Sequence, residues 1–443
     1  MKRGFYTIIA AQFFSSLADN ALLVAAIALL FELDGPEWMT PLLKFFFVVS
    51  YVLLAAAVGA FADAFPKGKV MFITNTIKIA GCVVMFFYDY VTPPGVPEYV
   101  VVLIAYGIVG LGAAAYSPAK YGILTELLPA EQLVVANGWI EGLTVLSVIL
   151  GTVLGGALIS PAVAMRLLSV DLPHIDLGIE TPAEAAIALT ALIYVVAAIV
   201  NLYIPETGAR YRKQSANPVK LVVDFARCCR ILWKDRLGQI SLATTTLFWG
   251  AGATLQFILL KWAEQDLGMP LDKGAALLGV TAVGIALGAT LAARLVPLRK
   301  SISVLPVGVV MGLSVILLTG VTAMPLVYAL LILIGAMAGF FVVPMNAVLQ
   351  HRGYVLLSAG HSIAVQNFSE NLAILIMLSL YAGLIWIDLR LHTIIIVFGA
   401  FVAGTTLLVI RRHQQNQRDD QLRLVDAARA ASQVRKASIA PSD

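Results

Sequence analysis

The sequence predicts an all-α polytopic membrane protein whose twelve transmembrane helices form two six-helix halves. Three observations carry that prediction. Of the 443 residues, 60% are hydrophobic and 13% charged, with a mean hydropathy of +0.89. A soluble domain is roughly 45–50% apolar and about 25% charged. Apolar runs near the length that crosses a bilayer, about 20 residues, recur twelve times, and a basic polar stretch divides them six and six. The runs are continuous rather than alternating, which argues against a spanning β-barrel. The composition excludes a soluble enzyme, a nucleic-acid binder and a disordered scaffold.

In order, the runs cover 5–31, 43–62, 69–90, 98–118, 132–159, 183–204, 239–263, 273–295, 301–321, 325–348, 359–383 and 393–410. The first follows Lys2 and Arg3 but exceeds the 7–15 apolar residues of a cleaved signal, so it is expected to remain as the first span. Breaks carry Pro36, Pro41, Pro93-Pro94, Pro129, Pro173, Pro297 and Pro325, residues that punctuate helices. The chain therefore divides into a first half (1–204), a basic linker (205–238), a second half (239–410) and a polar tail (411–443) expected to be loosely ordered. Within the linker, Leu221, Phe225, Cys228 and Leu232 share one helical face while Arg227, Arg230 and Lys234 share another. That is the pattern of an amphipathic helix lying on a membrane surface.

The basic residues set an expected orientation. With the N-terminus inside, 24 of the 30 Lys and Arg fall on the cytoplasmic side. The other side holds Lys44, Arg166, Lys261, Lys273 and Arg390, and Lys78 lies within a span. Such a bias predicts both termini in the cytoplasm.

The two halves echo each other. GLGAAAYSPAK (110–120) and GFFVVPMNAVLQ (339–350) each carry a proline near the inner exit of a span, and ANGWIEG (136–142) and QNFSEN (366–371) each pair Asn with a downstream Glu. The loop GAFADAFPKGK (59–69) resembles, through Gly59, Asp63, Lys67 and Lys69, the signature loop of the major facilitator superfamily. A six-plus-six chain with these echoes also resembles that superfamily's parallel repeats. The resemblance implies that the loop latches one conformational state, its carboxylate facing a neighbouring helix N-terminus. The corresponding stretch 288–300 keeps Arg294, Arg299 and Lys300 without the Asp, which makes the latch one-sided. Small-x-x-x-small pairs at Gly151/Gly155, Gly284/Gly288, Gly308/Gly312 and Gly335/Gly339 are expected to pack helices closely.

Intramembrane polar groups are costly and point to function. Asp19 lies about 21 Å along the first span at 1.5 Å per residue, beside Asn20 and seven residues after Gln12. Glu141, Glu370, Lys78 and Lys120 are the other ionisable candidates. Structural pairing between helices is the competing account for each. Gly68-Lys69 is the sole Gly-Lys pair, so there is no phosphate-binding Gly-x-x-x-x-Gly-Lys-Ser/Thr loop to drive transport. The five histidines show neither metal-ligand spacing nor a His-x-x-x-x-Asp pattern, and three cysteines without Cys-x-x-Cys form no metal ribbon. No catalysis, cofactor or metal is expected.

More specifically, AQFFSSLADNALL (11–23), GAAAYSPAKYGILTEL (112–127), VANGWIEG (135–142), LFWGAGATL (247–255), GFFVVPMNAVLQ (339–350) and AVQNFSEN (364–371) resemble the bacterial lysophospholipid transporter family. The likeness spans residues 5–410. It implies a facilitator that flips lysophosphatidylethanolamine across the inner membrane for re-acylation on the cytoplasmic side, acting as a monomer, with any acyltransferase on a separate chain and no nucleic-acid partner. A zwitterionic headgroup needs a cation and a carboxylate, for which Lys120 and Asp19 are the candidates, with Asn20, Gln12, Glu141 and Glu370 around them. The family can carry an arginine just after the LFWGAG-x-TL stretch; Gln256 stands here, so its headgroup contact is open. The alternative is a general facilitator that exports amphipathic drugs or metabolites.

Overall fold

The computed structural model describes residues 3–36, 39–160, 163, 179, 181–211, 217–269 and 271–439. Lys2, Arg166, Pro173, Arg212 and Lys213 lie outside them. The described residues form helices and loops without strands. Among the described residues, eleven helices are long and apolar enough to cross a membrane: Gly4–Glu32, Lys67–Phe86, Glu98–Leu127, Ala130–Ile159, Pro182–Leu202, Arg236–Gln265, Ala276–Leu295, Leu298–Gly320, Met324–Leu356, Ala359–Trp386 and Leu391–Asp419. A bent pair, Leu42–Leu53 and Ala55–Ala64, meets at 66° and is counted here as span two of twelve.

Spans four and ten run further than their apolar runs. Pro118 and Pro344 sit inside the helices, which continue to Leu127 and Leu356. A proline removes one backbone hydrogen bond, but both are buried between neighbours that hold the helix together past the gap. The break in span two has no proline; its lower leg, Ala55–Ala64, turns to lie on span eleven, where a Cβ on Gly59 would meet the Ala364 side chain at 2.9 Å. The tail also differs from expectation. The last helix continues unbroken to Ile439, because Ala, Arg and Gln make up 16 of the residues 411–439 and all favour helix.

Each half has its own apolar core, around Leu22, Leu29, Tyr106 and Tyr194 in the first and Ile258, Trp262, Leu331 and Ile395 in the second. Two smaller clusters cross between the halves. One joins Leu133, Ala136 and Ile140 of span five to Ala289 and Ala292 of span eight; the other joins Ala55 and Val58 to Ala364 and Val365. Both lie at the end of the molecule that carries the basic linker. In lipid, packing rather than water exclusion holds helices together, and spans eight and ten show it. A Cβ on Gly288 would fall inside the Ala336 carbonyl, so only glycine permits that approach.

Away from the basic end the halves part. Beyond Glu141, the buried residues of span five are Ser147, Gly151, Gly155 and Leu158, and Gly151 and Gly155 face span one. Beyond Glu370, no described residue of span eleven is buried. The molecule is closed at its basic end and separated at the other.

Candidate functional site

Asp19 does not stand alone in the bilayer. Lys78 of span three donates to both of its oxygens, at 2.7 and 2.9 Å, and the Tyr194 hydroxyl of span six donates to Oδ1 at 2.6 Å. Lys78 also donates to Ser15 at 3.1 Å, and Ser15 donates to Asn75 at 2.9 Å. Helical spacing explains the convergence: Ser15 and Asp19 are four residues apart and Asn75 and Lys78 three, so each pair shares a helix face. The Lys78 side chain is 1% exposed and that of Asp19 22%, so the carboxylate is the part of the pair open to an incoming ligand. The rings of Tyr116 and Tyr194 lie 5.1 and 5.3 Å from Lys78 Nζ, within cation–π range.

A cavity of about 70 Å³ opens here, lined by Gln12, Asp19, Tyr51, Lys78, Tyr116 and Lys120 among others. That is room for water rather than for a phosphoethanolamine group. Buried polar atoms around it lack partners: Gln12 Oε1, Asn75 Nδ2 and the Tyr116 hydroxyl. Each unmet group costs about 1–3 kcal/mol, a cost that a polar ligand or water would remove.

Glu141 and Glu370 are placed elsewhere. Asn346 donates to Glu141 at 3.3 Å, Gln366 donates to Asn346 at 3.0 Å, and Gln366 also donates to Glu370 at 2.8 Å. The two glutamates thus end one amide relay that runs from span five to span eleven. Asn137 and Gln350 exchange hydrogen bonds at 2.8 and 2.9 Å, and Asn367 donates to Ser117 at 2.9 Å. Interhelical bonds of this kind average about 0.6 kcal/mol in a membrane, so each adds only modestly to the seam between the halves. Lys120 lines the cavity, and its Nζ is 4.1 Å from the Tyr121 ring centre.

The signature loop meets the start of span eleven. Asp63 accepts the Gly360 and His361 backbone N–H groups at 2.8 and 3.3 Å and bonds the Ser358 hydroxyl. The His361 ring nitrogen lies 2.7 Å from Asp63. Lys67 pairs with Asp63 at 2.9 Å and with Glu126 at 3.5 Å, while Glu126 accepts from Thr207 and Tyr211 of the linker at 2.5 and 2.7 Å. Lys69 takes no part; it is exposed, 3.9 Å from Glu206, because it points to the outer side of its helix.

The structure therefore brings Gln12, Asp19 and Lys120 to one cavity. Asn20 turns away to the Ser16 carbonyl at 2.8 Å, and Gln256, half-buried, is not among the cavity residues. The partners of Asp19 were only partly visible in sequence. Lys78 is flagged by being charged within a span and sharing a face with Asn75, but nothing marks Tyr194, Ser358 or Tyr211.

Residues 8–378 match the family model described as Major Facilitator Superfamily. The lysophospholipid transporter LplT of Yersinia enterocolitica is 42% identical over 383 residues, covering 86% of this chain and 87% of that protein. The LplT of Yersinia pestis (strain Pestoides F) gives the same values. Among solved structures, an outward-facing bacterial homologue of the iron transporter ferroportin aligns with a TM-score of 0.69 and 16% identity, covering 93% of this chain and 100% of that one. FucP in its outward conformation aligns with a TM-score of 0.67 and 13% identity, covering 93% of this chain and 99% of that one. At such identities these two likenesses concern the fold alone.

Proposed function

Because the chain belongs to the lysophospholipid transporter family of the major facilitator superfamily, we propose that it moves lysophospholipid, chiefly lysophosphatidylethanolamine, across the bacterial inner membrane. Delivery is to the cytoplasmic leaflet, where re-acylation follows. The basic asymmetry of the loops supports placing both termini, the linker and the closed end in the cytoplasm.

The observation that carries the headgroup assignment is the Asp19–Lys78 ion pair at the edge of a cavity with unmet polar atoms. A phosphoethanolamine group bears one positive and one negative charge. Its ammonium can replace Lys78 on Asp19 while its phosphate takes the released Lys78, with Lys120 as second cation. Both protein charges stay paired throughout, which avoids the cost of a bare charge in lipid. The cavity must widen to admit the group, and the acyl chain remains in the apolar gap between the halves.

Release to the other side requires the halves to rock about the site. The amide relay and the Asp63 latch hold the basic end shut, and their breaking opens it. The test is uptake of labelled lysophosphatidylethanolamine by spheroplasts with and without the protein, beside a drug-resistance panel. Uptake that depends on the protein supports the proposal; resistance without uptake would favour a general exporter.

A further inference from the structure

The linker helix Pro218–Lys234 has two apolar faces. The face legible in the sequence, with Leu221, Phe225, Cys228 and Leu232, is turned to the protein: Phe225 and Leu232 are buried, and Phe225 packs edge-on against Phe368 of span eleven at 5.4 Å. A second stripe points outward and meets no part of the chain's core. Val219, Val222, Val223 and Trp233 are 72%, 59%, 53% and 44% exposed.

Arg230 falls within that stripe, and Lys220, Arg227 and Lys234 run along one edge of it. Lys220, Arg227, Arg230 and Lys234 are all exposed, and the helix's sole acid, Asp224, is paired with Arg227 at 3.1 Å. The helix is also held at membrane depth. One residue, Asp235, separates it from span seven, and Phe368 lies about 14 Å along span eleven from Ala359 at 1.5 Å per residue. Apolar side chains with a tryptophan, flanked by lysine and arginine at the level where spans end, fit the boundary between headgroups and acyl chains. The cations select for negative charge there.

We propose that the outer face of the linker helix binds the anionic lipid surface of the leaflet at the basic end. The inner face is spoken for by the protein, so this contact uses residues the transport site does not. A soluble protein partner would instead leave the stripe in water until it bound.

The test uses the full chain with a spin label at position 222 (Val222→Cys, with Cys228→Ser and Cys229→Ser; Cys82 is buried). It is reconstituted in vesicles of phosphatidylcholine alone or mixed with phosphatidylglycerol. The readout is the ratio of label collisions with oxygen, which concentrates in lipid, to collisions with a water-soluble nickel chelate. We expect the ratio to rise several-fold with phosphatidylglycerol and to lose that rise in high salt. Replacing Lys220, Arg227, Arg230 and Lys234 by Gln should abolish it too; should that variant fail to fold, the lipid and salt dependence of the labelled protein decides alone. An equal ratio in both vesicle types, or chelate-dominated collisions in both, overturns the proposal.

Discussion

The carboxylate of Asp63 accepts the backbone N–H of Gly360 at 2.8 Å across 297 residues of sequence, joining the two halves at the first turn of span eleven. A helix start leaves N–H groups without intrahelical partners and carries partial positive charge. Asp63 answers both needs, but only while the halves are together at that end. Under the rocking proposed above, the contact belongs to one state of the molecule.

Removing the charge should shift that state. Asp63→Asn is expected to insert and fold normally while transport slows, since hydrogen bonds to a charged group contribute about 1.5–3 kcal/mol and a loss of that size moves a two-state balance roughly 10- to 100-fold. Uptake assays alongside expression measurements check it. Wild-type uptake at normal expression would make the loop an ordinary charged turn.

The headgroup assignment predicts substrate-dependent losses. Lys120→Ala should reduce uptake of every lysophospholipid, because all carry the phosphate. Asp19→Asn should impair lysophosphatidylethanolamine more than lysophosphatidylglycerol, which has no ammonium. Equal losses on both lipids would leave Asp19 as a structural counter-ion of Lys78.

Lys78→Ala provides the complementary case. It leaves Asp19 with Tyr194 alone, at a cost of about 2.5–3.5 kcal/mol for a charge left unpaired in a helix centre, so yield and thermal stability should fall. Lys78→Ala combined with Asp19→Asn should recover stability without recovering transport. A double variant as unstable as the single one would contradict the pairing.

Topology is testable by labelling. Cysteines at position 415 or in 205–211 should react only with membrane-permeant reagents in intact cells. Modification of either by an impermeant reagent would refute a cytoplasmic placement.

Acid should loosen a second clasp at the same end. Asp235 caps span seven through the Gly238 N–H at 2.8 Å and accepts Arg352 of span ten at 3.0 and 2.5 Å. Burial pushes its carboxyl up, but the bonds from Arg352 and Gly238 and the Arg352 charge outweigh this, and the carboxyl is held below its usual range. A depressed carboxyl contributes stability that is fully present above the unfolded value, about 3.9, and is lost as pH falls through the folded one. Thermal unfolding in detergent should thus show a loss below about pH 4 that Asp235→Asn diminishes, with a lower midpoint for the variant at neutral pH. An unchanged acid profile in the variant would remove Asp235 as a source.

The membrane-crossing helices, and the loop whose Asp63 meets the start of span eleven, were legible because each is a property of one stretch of chain. Hydropathy accumulates along a segment, and a proline or lysine marks its own position. Even so, the run ending at Pro118 understated a helix that reaches Leu127, since neighbours support a backbone that local sequence would interrupt. The site needed more. A 3.6-residue period says that Ser15 and Asp19 share a face, but not that Lys78, 59 residues on, and Tyr194, 175 residues on, are what they face. Nor does it say that Glu141 and Glu370 meet through Asn346 and Gln366 rather than at the cavity. Which helix faces lie together is decided by how close glycines such as Gly151 and Gly288 let the backbones come. That is settled by the packing of all the spans at once.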